Sequence, residues 1–224
     1  MFRRWVTPFL AMLCTVLGAH TVTDAGSADL ADIQTVANWI DSLQYTDPNL
    51  PSYGAIKNHH DPGHYGPDPY YLVVPYFVNL AVVGLLQAPV EGKLEVAERW
   101  ITWYLGHLNM DDTLSVVYDH WYLADGTGET TCPPGFPSAR CDYDDASDSY
   151  AATFLGAAWT YYEAGGRAVF LNAPGNKEKF EAIAEVILTL QEMRSRWSLR
   201  LPRGALLESS RLYDAISTMP QSRT

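Results

Sequence analysis

The run DYDDASDSYAATFLGAAWTYYEAGG, from Asp142 to Gly166, limits the fold more than any other part of the chain. Its first seven residues hold four carboxylates: Asp142, Asp144, Asp145 and Asp148. The residues after them have the spacing of a helix that is apolar on almost every side. Tyr150, Ala151, Phe154, Leu155, Ala158, Tyr161 and Tyr162 cover one broad face, and Ala152, Gly156, Ala157 and Trp159 leave the other nearly as dry. A helix with no polar stripe is stable only where protein surrounds it, so this one belongs in the interior. Asp145 followed by Asp148 has the form of a capping pair, and the macrodipole favours negative charge at a helix start. Gly165-Gly166 supplies the stop. The segment predicts a buried helix with an acidic N-terminus, and function turns on what meets that end.

A second segment has the same character. From Tyr70 to Ala88, Val73, Val74, Tyr76, Phe77, Val78, Leu80, Val82, Val83 and Leu85 leave no wet side. Asp68 before Pro69 has the form of a cap followed by a first-turn proline. Pro75 either kinks this helix or moves its start later. Three other segments are amphipathic: Ala28 to Gln44 (Leu30, Ile33, Val36, Ala37, Ile40, Leu43 inward), Glu91 to Leu108, and Asn176 to Arg194. Between the first helix and the first dry one lies a loop, Tyr45 to Pro69, rich in Pro, Gly, His and Asp. Its length makes it functional or disordered, and its aromatics and His cluster favour an ordered, functional loop. Leu114 to Leu123 has strand-forming residues and predicts a short hairpin or extended arm. The order is amphipathic helix, polar segment, dry helix, twice over, then a third amphipathic helix.

The balance of charge excludes one partner class. The formal charge is −11 and the sequence pI is about 4.8, whereas nucleic-acid backbones require a basic surface, so no nucleic-acid partner is expected. Arg3 and Arg4, an apolar run from Trp5 to about Ala19 and small residues at Ala19, Ala25 and Ala28 read as an export signal over 1–25. The mature chain is then secreted or periplasmic, with no membrane partner. In an oxidising compartment, Cys132 and Cys141, which enclose PPGFPSAR, should form a local disulfide.

Alternation of outer amphipathic and inner apolar helices is the pattern of an α/α toroid. Through DYDDASDSYAATFL, especially Asp145-Ala-Ser-Asp148-Ser-Tyr150-Ala, and the helix PDPYYLVVPYFVNLAVVGLL, the chain resembles the six-hairpin glycosidase superfamily. The resemblance covers roughly Asp29 to Met193. It implies a sugar-binding cleft where the inner-helix N-termini and their preceding loops meet, and glycoside hydrolysis there. A complete toroid has six hairpins, and this chain supplies about two and a half. The expected fold is therefore all-α: an incomplete α/α toroid over 26–193, with a short β-arm and one disulfide loop. Residues 194–224 hold six Arg against two acids and drop the helical periodicity, which reads either as a linker or as a basic, irregular or divergent tail on an enzyme expected to be truncated.

Glycoside hydrolysis generally takes two carboxyl groups with separated pKa values. Asp148, Asp144 and Asp68 are the candidate catalytic carboxylates, with Asp111 and Asp112 as further ones. Capping alone would also explain an Asp at a helix start. Asp145 is either a cap or a contact to ligand. A calcium loop is poorly matched, because Ala146 and Ser147 stand where a ligand and the turn glycine belong. His59, His60, Asp61 and His64 lack an i, i+4 pair and are read as sugar hydrogen-bonders before metal ligands. Tyr65, His120, Trp121 and Tyr143 complete the expected substrate contacts, since flat aromatic faces suit pyranose C–H surfaces. No metal or cofactor is assigned. Apolar helix faces left open by an incomplete ring should drive self-association. The alternative to a hydrolase is a non-catalytic carbohydrate-binding or interaction protein, a remnant of a toroid.

Overall fold

The computed structural model describes residues 27–64, 66–110, 115–143 and 147–197. The expected export signal at 1–25 and the tail from residue 198 onward lie outside them. The described chain is mostly helical with one small antiparallel sheet. In order it forms α1 (Ser27–Ser42), β1 (Tyr71–Val73), α2 (Pro75–Gln87), α3 (Lys93–Gly106), β2 (His120–Tyr122) and a 3-10 turn (Ser138–Arg140). It then forms α4 (Ser147–Glu163), α5 (Ala168–Leu171) and α6 (Pro174–Trp197). The chain divides into two units within α1, one ending at Val36 and the other beginning at Ala37. In the first, Leu30, Ile33 and Val36 are exposed. The amphipathic stripe expected along all of α1 is therefore buried only from Ala37 on, at Ala37, Ile40 and Leu43.

The second unit is built around α4. That helix packs on α2, α3 and α6, and only Ala152 and Glu163 along it are exposed. Phe154 stacks on Tyr104 of α3, with ring centroids 3.6 Å apart, and faces Phe180 of α6 at 5.7 Å. The all-round apolar sequence is thus explained by neighbours on three sides. One polar residue, Asn79 of α2, is fully buried among these helices. Its Nδ2 donates to Thr153 Oγ1 (3.1 Å), and its Oδ1 accepts from Trp100 Nε1 (2.9 Å). A satisfied buried amide of this kind fixes how α2, α3 and α4 meet, which an apolar contact would leave looser. Two lysines close helix ends that would otherwise leave carbonyls without partners. Lys93 Nζ donates to Leu86 O and Ala88 O at the end of α2, and Lys179 Nζ donates to Leu105 O at the end of α3.

Two expectations are corrected. The second dry helix starts at Pro75, not near Tyr70, and its N-cap is Val74. Pro75 fits the first turn because it has no N–H to satisfy there. Tyr71, Leu72 and Val73 are β-formers and instead pair with Tyr122, Trp121 and His120. Asp68 therefore caps no helix. The last helix runs past Arg194 to Trp197, four residues into what reads as tail. The loop after α1 is ordered at its start. Gln44, buried, donates to Gly54 O and Val96 O and accepts from Arg99 Nε. Gly54 has a φ of 92°, and a Cβ there would collide with the carbonyl of Arg99, so the turn admits only glycine.

An ion pair joins α3 to the turn before α5. Glu98 accepts from the Arg167 guanidinium and from the Tyr161 hydroxyl. The Arg167 hydrogen bond, opposed by partial burial and aided by Tyr161, holds the Glu98 carboxyl below its ordinary value of 4.5. A carboxylate whose folded pKa is depressed contributes stability above its unfolded pKa and loses it as pH falls through the folded one. Glu98→Gln should therefore reduce stability at neutral pH and flatten the stability curve below about pH 4.5, as read from urea midpoints across an acid series. The effect is modest because Arg167 is largely exposed.

Candidate functional site

Four consecutive residues on and before β2, Asp119, His120, Trp121 and Tyr122, organise two clusters on opposite sides of one strand. In an extended chain successive side chains point to opposite faces. Asp119 and Trp121 line a cavity of about 830 Å³. His120 and Tyr122 turn the other way and meet His107, Glu129 and the Trp103 indole.

The cavity lies beside the first turns of α2 and α4. Tyr76 and Phe77 come from α2 and Tyr150 from α4, and the Tyr76 and Tyr150 rings are 6.2 Å apart. The starts of the two dry helices both line it, and α2 brings aromatic rings rather than an acidic end. Its far wall is the disulfide loop. Cys132 and Cys141 are bonded with their Cα atoms 4.8 Å apart, and the loop between them places Phe136 against Trp121 at 4.9 Å. In the chain-entropy account, closing so short a loop stabilises by about 2–3 kcal/mol. Arg140 covers the outer side of Phe136 and also lines the cavity. Behind Trp121 the chain passes so close that a Cβ on Gly66 would lie 2.7 Å from the indole nitrogen. That approach requires glycine.

Polar groups in the cavity are few and fixed. Asp119 is buried, its Oδ1 accepts from the Tyr150 hydroxyl at 2.9 Å, and its N–H donates to Tyr143 O at 2.8 Å. Asn58 accepts from the N–H of Val74. Lys57 lies over the rings of Tyr45 and Tyr71, and burial lowers its pKa. A largely apolar wall with a few oriented polar groups is the ordinary form of a small-molecule site, and the volume lies within the usual range of about 300–1,000 Å³.

The residues expected from sequence distribute unevenly around it. Trp121 and Tyr143 line the cavity. His60 makes an edge contact with Trp39, itself a lining residue. His59 stacks on His64 at 3.8 Å and its Nδ1 lies 3.4 Å from Asp61 Oδ2, in a stretch that does not line the cavity among the described residues. Asp68 is exposed on the same loop. Asp148 stands in the first turn of α4, where it accepts from the Ser149 N–H. His120 faces away from the cavity, behind its strand. Asp144, Asp145, Tyr65, Asp111 and Asp112 lie outside the described residues. Among the described residues the carboxylate in the cavity wall is Asp119, which reading the acidic run alone passes over. Its signal was the alternation Asp-His-Trp-Tyr, which puts residues 119 and 121 on one side.

The opposite cluster is tightly bonded. His107 Nε2 lies 2.7 Å from Glu129 Oε1 and His120 Nε2 lies 3.6 Å from the same oxygen. Burial first, and then His107, push the His120 pKa down to about 4. The hydrogen bond from His107 is the main cause holding Glu129 below its usual range. Neither His107 nor Glu129 stands out in the sequence, because 21 residues of turn and arm separate them.

Comparison with family models, with curated proteins and with solved structures finds no match.

Proposed function

We propose that the cavity beside α2 and α4 binds carbohydrate, and that the chain is an exported glycan-recognising protein of the incomplete α/α-toroid, six-hairpin glycosidase type. The observation that supports it is the aromatic wall of Trp121, Tyr143, Tyr76 and Phe136 set around the buried carboxylate Asp119. Flat rings suit the C–H faces of a pyranose, and an anchored carboxylate accepts from its hydroxyls. The Cys132–Cys141 disulfide favours an oxidising compartment. Among the described residues no helix is long and apolar enough to cross a membrane.

Glycoside hydrolysis is the second reading. It is favoured by Asp148, which lies in the first turn of α4 two residues before the cavity-lining Tyr150. Hydrolysis generally takes two carboxyl groups, about 5–5.5 Å or about 6.5–9.5 Å apart. Binding comes first because Asp119 is the single carboxylate in the cavity wall among the described residues.

A panel of soluble oligo- and polysaccharides, titrated with the intrinsic Trp fluorescence as readout, tests the reading. At least one glycan should bind, and Tyr143→Ala should weaken it several-fold with the far-UV spectrum unchanged. A panel with no binder rejects the proposal. Reducing-sugar release abolished by Asp148→Asn or Asp68→Asn would promote the hydrolase reading, and release indifferent to both would remove those residues from it.

A further inference from the structure

Both histidines behind the cavity strand have one ring nitrogen already committed. His107 Nδ1 lies 2.7 Å from Trp103 O, and His120 Nδ1 lies 2.8 Å from Tyr118 O. A backbone carbonyl can only accept, so each Nδ1 carries a proton and donates it. Nε2 is then the nitrogen left to bind an ion once it gives up its own proton, and both Nε2 atoms face the Glu129 carboxylate. One ligand atom from each of the three residues lies within 4.8 Å of the other two.

We propose that His107, His120 and Glu129 bind a divalent transition-metal ion of the zinc class, with one coordination position open toward solvent. Imidazole and carboxylate ligands suit zinc and its neighbours in the first row, whereas calcium and magnesium prefer all-oxygen sites. Ligands about 2.0–2.1 Å from a tetrahedral ion lie roughly 3.3 Å from one another. The 3.6 Å His120–Glu129 separation is near that value, and the 2.7 Å His107–Glu129 contact opens slightly as the ion replaces the shared proton.

The surroundings are those that hold ligands in place. The carbonyls of Trp103 and Tyr118 are the outer hydrogen-bond partners that set tautomer and ring orientation in metal-binding histidines. Trp103 packs on both rings, stacked on His107 at 4.4 Å and edge-on to His120 at 5.4 Å. Its Nε1 donates to the Tyr122 hydroxyl, which donates in turn to Glu129 Oε1 (3.1 Å). Each ligand also sits on fixed backbone. His107 closes α3, His120 is paired in β2, and Glu129 precedes Thr130, whose N–H and C=O both bond to Trp121. The histidine side chains are 17% and 10% exposed and that of Glu129 is 29% exposed, so the remaining position opens on the Glu129 side. Three protein ligands with a solvent-facing fourth position is the arrangement of exchangeable and catalytic zinc sites. The site stands independently of the carbohydrate reading, since it lies on the other side of the strand and its test involves no sugar.

The untagged chain, stripped with a chelator and dialysed, is titrated with Zn²⁺ by calorimetry and with Co²⁺ by visible absorption. One ion per chain is expected, with the d–d bands of a low-coordinate Co²⁺ site and a zinc-dependent rise in melting temperature. Even loss of an outer partner costs about 10–100-fold in metal affinity, so His120→Ala and Glu129→Gln should each lose at least roughly 100-fold. His59→Ala should bind as the unaltered chain does. Glu129→Gln is the deciding variant, because its partly exposed side chain lets the fold survive, which far-UV dichroism checks. The proposal is overturned by no stoichiometric binding to the unaltered chain, by unchanged binding in Glu129→Gln, or by loss of binding in His59→Ala.

Discussion

Phe154→Ala is expected to lower folding stability by about 3–5 kcal/mol, the usual cost of emptying a fully buried aromatic site. The size follows from the position of α4. Phe154 has no exposed surface and lies between Tyr104 and Phe180, so helices on either side hold the space open. Relaxation of α4 into the gap would break its contacts with α2 on another side. Leu80 on α2 is about half exposed, and Leu80→Ala should change stability by no more than about 0.5 kcal/mol. Urea midpoints of the two variants at constant m-value decide it. Near-equal costs would mean that α4 is not the centre of the unit.

The second large effect concerns the cavity. Asp119→Asn keeps an oxygen to accept from the Tyr150 hydroxyl, and so should leave the wall in place. It removes the charge. A hydrogen bond to a charged group is worth about 1.5–3 kcal/mol, so saccharide affinity should fall by about 10- to 100-fold. Isothermal titration of the best-binding glycan gives the ratio directly, with the melting temperature as a check on folding. An unaltered dissociation constant would mean that Asp119 serves only to orient Tyr150, and the carbohydrate site would lose its polar anchor.

The buried helices were legible in the sequence because their signal is local. Seventeen successive residues with scarcely a polar side can satisfy themselves only in an interior, and α4 lies there. The start of α2 was misplaced for an equally physical reason. Tyr71 to Val73 are apolar and fit a buried helix or a strand alike, and only pairing with His120 to Tyr122, about fifty residues away, decides between them. The cavity was legible in part: Trp121 and Tyr143, expected as substrate contacts, do line it, whereas Asp119 stands alone in the sequence, apart from the longer acidic run that contains Asp148. The His107–His120–Glu129 cluster was not legible at all. Its members come from a helix end, a strand and a turn, and no spacing rule connects three such elements.

The strand that carries both clusters also restricts how this chain can change. Substitutions at 119 and 121 retune the cavity and leave the histidine side alone, and substitutions at 120 and 122 do the converse. Inserting or deleting one residue there is another matter, because the period of two would exchange the faces and carry the tryptophan into the ion-pair cluster and the histidine into the cavity. Length variation in this segment is therefore tolerable only in steps of two, while its side chains are free to diverge face by face.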